Sequence, residues 1–164
     1  MIRTFALCFA LAATPALAGD DHNHDHSHGE AEHLAELEGL RVLHVWAVPG
    51  EGAMQIYMEV ENESDAAVTL TGGELHDGAE LVLYATEVNA SGGAVAIGEI
   101  EIAPETEMDL APDGLYLVAE AAPEVSVGEI IEAHLEFAPL GELEVEIEIF
   151  APGTRTHPHA GHNH

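Results

Sequence analysis

The sequence predicts an antiparallel β-sandwich of two sheets, and three observations point to it. Glu142-Leu143-Glu144-Val145-Glu146-Ile147-Glu148-Ile149 alternates acidic and apolar residues without a break, giving one buried and one wet face. Met54, Ile56, Met58 and Val60 repeat that period of two, as do Ile131, Ala133, Leu135 and Phe137. Turn residues separate the apolar runs: Pro49-Gly50, Asn62-Glu63-Ser64-Asp65, Asp77-Gly78, Ser91-Gly92-Gly93, Pro112-Asp113-Gly114 and Gly128. Short strands spaced in this way are the pattern of a sandwich.

In chain order, the expected strands cover 40–48, 54–60, 66–75, 80–88, 94–102, 114–118, 131–137 and 142–149. No helical period of useful length appears among them. Residues 30–38 (Glu-Ala-Glu-His-Leu-Ala-Glu-Leu-Glu) have the composition of a short helix.

The N-terminus reads as a secretory signal. Arg3 precedes an apolar run from Phe5 to Ala13, and Ala16-Leu17-Ala18 offers a cleavage site. The run is too short to span a bilayer. Cys8, the single cysteine, lies inside the run and not just after the cleavage site, which argues against a lipid anchor. The predicted division is therefore 1–18 signal peptide, 19–38 His/Asp-rich tail, 39–152 sandwich domain and 153–164 His-rich tail. The mature chain, of about 145 residues, is expected in the periplasm with no disulfide, no thiolate ligand and no membrane anchor.

The formal charge is −28, and removing Arg3 with the signal takes it to −29; there is no lysine. Such a surface repels nucleic acid and anionic membranes and attracts cations. With no cysteine in the mature chain and no Ser-His-Asp grouping, the sequence does not read as an enzyme. Its many carboxylates alternate along strands as a solvated face, not as a buried acid–base pair.

Histidine carries the functional signal. Nine of twelve lie outside the predicted sandwich: His22, His24, His26, His28, His33, His157, His159, His162 and His164. Neutral imidazole suits Cu(II), Zn(II) and Ni(II). In an extended segment, His-x-His spacing puts two rings on one side of the backbone. Asp20, Asp21 and Asp25 add carboxylates. Mobile tails impose no geometry, so affinity follows the Irving–Williams order and favours Cu(II) over Zn(II). Binding is expected to weaken below about pH 6, where imidazole protonates. The remaining histidines read otherwise: His134 and His76 as solvated, His44 as a hydrogen-bonded, partly buried ring. Met54 and Met58 read as core packing rather than as soft ligands.

From Gly39 to Phe150 the chain resembles the PCu(A)C family of periplasmic copper chaperones. Met54-Gln55-Ile56-Tyr57-Met58-Glu59-Val60-Glu61-Asn62 is similar to that family's "AAYLTLEN" strand and turn. Ala79 to Tyr84 resembles the strand carrying its first ligand, and Leu110-Ala111-Pro112-Asp113-Gly114-Leu115-Tyr116-Leu117 its "L-x-P-G-G-x-H-L". Gly128 to Phe137 matches its penultimate strand. The resemblance implies a cupredoxin-like Greek-key fold and a role in copper handling, such as cuproenzyme assembly. The family's His, Met and His-x-Met ligands are missing. Tyr84, Val95 or a neighbour, Tyr116 and Val118 stand there instead.

Three functions remain open on the sequence: a Cu(II)-binding metallochaperone that buffers the ion or delivers it to a partner, a zinc scavenger or buffer, and a non-metal interaction sandwich with incidental tails.

Overall fold

The computed structural model describes residues 34–87 and 93–157. Eleven strands make up the fold among them: β1 (Leu34–Leu37), β2 (Leu40–Pro49), β3 (Met54–Asn62), β4 (Val68–Leu75), β5 (Glu80–Thr86), β6 (Ala94–Ala96), β7 (Ile100–Ile102), β8 (Thr106–Leu110), β9 (Leu115–Ala119), β10 (Ile130–Ala138) and β11 (Gly141–Ile149). Their order is β6-β5-β9-β8-β3-β2-β11-β10-β4-β7, with β1 beside β2. Because β4 also pairs with β5, the sheet rolls closed on itself. The β10–β11 hairpin lies between β4 and β2, a Greek-key arrangement. Most pairings are antiparallel as expected, but β11 meets β2 in parallel at Trp46 and Ala47. No helix among the described residues is long and apolar enough to cross a membrane.

Alternation decides which side chains enter the core. Leu143, Val145, Ile147 and Ile149 of β11 are buried while Glu142, Glu144 and Glu146 face water. They meet Leu40, Val42, Ile56, Met58, Leu135 and Phe137 in the main cluster. Met54 and Met58 are buried there, as the period of two requires. Asn62, 1% exposed, closes the turn after β3. Its Nδ2 donates to the carbonyls of Ala66 (2.8 Å) and Ile102 (3.1 Å), and its Oδ1 accepts from Ser64.

Three expectations change. Residues 34–37 are a strand, not part of a helix, so the N-terminal tail does not extend to residue 38. Glu38 and Gly39 both have positive φ (49° and 85°), the geometry of a two-residue hairpin turn, and Leu37 pairs with Leu40 across it. A lone turn of helix here would satisfy few backbone groups, whereas the hairpin pairs the segment with β2. The strand expected over 94–102 is two strands, broken where Gly98 takes φ 79°. β8 was not anticipated; it pairs with β3 from Met58↔Leu110 to Asn62↔Thr106.

Candidate metal site

A second, smaller cluster covers the outer side of β2, β3, β5 and β9. Trp46 faces Tyr57 across the β2–β3 pair, with ring centroids 4.4 Å apart. Tyr57 lies 6.1 Å from Tyr116, which stacks on its in-register partner Tyr84 at 6.2 Å and 15°. Of the positions that correspond to missing family ligands, Val95 pairs with Ala85, Val118 with Val82, and Tyr84 and Tyr116 with each other. The tyrosines form an aromatic wall, and Tyr84 donates to Glu120 at 2.9 Å.

Burial raises the Tyr57 phenol to about 12, with Tyr116 adding to the rise and Arg155 opposing it. Its hydroxyl donates to Gln55 Oε1 at 2.7 Å. The fold therefore favours the neutral phenol. That stability is complete below the ordinary value of 10.0 and is lost as pH rises through about 12. Alkaline titration followed by near-ultraviolet absorbance and circular dichroism is expected to show Tyr57 ionising together with unfolding. Tyr57→Phe should delay that loss; phenolate forming near pH 10 with the fold intact would contradict the assignment.

At the other end of this wall stand two histidines. β2 carries a bulge: Leu43 pairs with Glu59 and Trp46 with Tyr57, so His44 and Val45 together oppose Met58. His44 takes φ 51°, a left-handed backbone uncommon for residues other than glycine and asparagine. The bulge also shifts the phase of β2. Val45 and Ala47 enter the main core, and Trp46 joins the aromatic wall.

His157 arrives from the C-terminal side. After β11, Ala151-Pro152-Gly153-Thr154 forms a type II turn. Proline sits at its second position, Gly153 has φ 90° at its third, and Thr154 N donates to Ala151 O at 3.1 Å. The chain folds back, and Arg155 pairs with Asp113 in the β8–β9 turn. That guanidinium holds the Asp113 carboxyl below its usual value. His157 comes to rest with its side chain 1% exposed, 5.1 Å from the His44 ring and edge-on to Phe150 at 5.5 Å. His157 is therefore not the mobile tail imidazole the sequence suggested; the turn and the Arg155–Asp113 pair seat it on the sandwich.

Each ring has a carboxylate beside it. His44 Nδ1 lies 3.6 Å from Glu59 Oε2, and His157 Nε2 lies 3.8 Å from Glu148 Oε2. Both rings line a cleft of about 240 Å³, bounded also by Met58, Asp109 and Pro112. His44 is partly buried, as expected. His76 and His134 are more exposed and stand 3.7 Å from Glu132 and Glu144. His22, His24, His26, His28, His33, His159, His162 and His164 lie outside the described residues.

Glu59 also belongs to an acidic trio with Glu61 and Glu107. Arg41 pairs with Glu61, and the nearby Glu59 raises the Glu107 carboxyl above its usual value.

The LpqE-like lipoprotein family matches residues 39–149. The chain belongs to the LpqE-like family. Its fold is that of the PCuAC domains. The apo PCuAC domain from PmoF1 superposes with a TM-score of 0.63 at 25% identity, over 73% of this chain and 100% of that one. The copper-bound PCuAC domain from PmoF2 gives 0.62 at 23%, over 73% and 99%. The apo PmoF2 domain gives 0.62 at 21%, over 75% and 98%. No curated protein matches the chain. The cupredoxin-like fold and the PCu(A)C resemblance are thereby borne out.

Proposed function

We propose that this LpqE-like protein is a periplasmic copper-binding protein, a metallochaperone and not an enzyme. It captures Cu(II) through the histidines of its two tails and buffers the ion or passes it to a partner such as a cuproenzyme. One observation carries the reading: a PCuAC fold whose usual ligand positions are tyrosine and valine is flanked in sequence by His22, His24, His26, His28 and His33 on one side and His159, His162 and His164 on the other. The similarity to a domain described as copper-bound supports the choice of metal. So does the order of affinities for imidazole sites without imposed geometry. Rapid exchange of imidazole ligands suits transfer better than storage.

Calorimetry with Cu(II) and with Zn(II) tests it. The chain without residues 1–18 is compared with a variant in which all the tail histidines except His157 are alanine. The expected result is several Cu(II) ions on the first, fewer on the variant, and Cu(II) displacing Zn(II) on the first. Equal copper stoichiometry for the two, or zinc held against copper, would count against the reading.

A further inference from the structure

We propose that His44 and His157 form a fixed copper site on the sandwich itself, separate from the other histidines of the two tails. This rests on the copper reading above and adds a place where the ion is seated.

Four observations converge on it. The two rings come from strands and turns far apart in sequence yet lie 5.1 Å apart over one cleft. His44 occupies a left-handed bulge position that glycine would fill without strain, so the backbone is shaped where the imidazole is presented. His157 is seated by a turn, by Arg155–Asp113 and by the edge of Phe150. Each ring also has a carboxylate near one nitrogen, Glu59 for His44 and Glu148 for His157. Metal-bound imidazoles commonly have such a carboxylate, because it orients the ring and raises its basicity as a ligand. Two imidazoles completed by water oxygens make a donor set suited to Cu(II).

Leu34 of β1 pairs with Leu43, the neighbour of His44.

The test uses the chain without residues 1–18 in which the eight other tail histidines are alanine. Trp46, the single tryptophan, borders the same cleft, so Cu(II) seated there should quench its emission. The expected result is one Cu(II) per chain, strong quenching and a raised melting temperature, since a ligand of the folded state stabilises it. Adding His44→Asn, which tolerates a left-handed backbone, should weaken binding by about 100-fold or more. His157→Gln, outside the strands, should do the same and serves if His44→Asn does not fold.

If the eight-alanine chain takes no copper while the unsubstituted chain does, the tails alone bind and this site is refuted, with the proposed function intact. If the eight-alanine chain binds copper and folded His44→Asn and His157→Gln variants bind it equally well, the site is refuted as placed. If the unsubstituted chain takes no copper, both proposals fall.

Discussion

Gly73→Ala is expected to destabilise the protein by about 3 kcal/mol or more, among the largest effects of any single methyl group in this fold. Gly73 sits in β4 where that strand pairs with β10 on one side and β5 on the other. A Cβ there would run into the backbone carbonyl of His134 and lie 3.1 Å from Leu135 Cα. Neither neighbour is the end of a flexible side chain, so a strand has to move. At Gly72 the backbone has φ 130°, and a Cβ would come within 2.7 Å of Leu81 O. The glycine pair lets β4 pass between two partners and close the roll. Thermal unfolding checks this: Gly73→Ala should lower the melting temperature by roughly 10 °C. Gly52→Asn is the contrast. Gly52 has φ 80° and nothing within 4 Å of a Cβ, and asparagine accepts that backbone, so under about 1 kcal/mol is expected. A Gly73→Ala protein that melts like the parent would refute the close approach.

Trp46→Ala comes next, at about 3–5 kcal/mol. Trp46 is 4% exposed and touches both Tyr57 (4.4 Å) and Phe150 (5.8 Å, edge-on). Its removal leaves a hole in the aromatic wall that strands paired on both sides cannot fill by collapsing. Phe150 is also the ring against which His157 rests. The same change should therefore loosen His157, seen as a shift and broadening of its imidazole resonances. Denaturant unfolding checks the stability, with Trp46→Phe expected to lose less. A loss below about 1 kcal/mol for Trp46→Ala would mean that the wall does not pack as a unit.

What the sequence revealed follows from range. β11 was readable because eight residues alternate on their own, and β3 and β10 likewise. β1 was not, because Leu34-Ala-Glu-Leu37 is too short for a period and glutamate is an unusual occupant of the left-handed first position of its turn. The candidate site was legible only in part. His157 was singled out as a ligand, but its seat depends on Arg155 reaching Asp113, 42 residues away. His44 passed for a partly buried ring. The local sign was the unalternating run Val42-Leu43-His44-Val45-Trp46, which marks a bulge. The tyrosines at the family's ligand positions were visible one by one; that they stack on each other required the β5–β9 register.

The pairing of Leu34 with Leu43, and of the His157 ring with His44, makes the sandwich a tether point for both ends of the chain. Ten residues of chain, fully extended, reach roughly 35 Å, which bounds the path an ion would cross under the proposed function between that spot and the histidines nearest it in sequence. On that proposal, an ion passed between them would stay on the same molecule. The transfer would then be intramolecular, and its rate would not depend on the dilution of the protein.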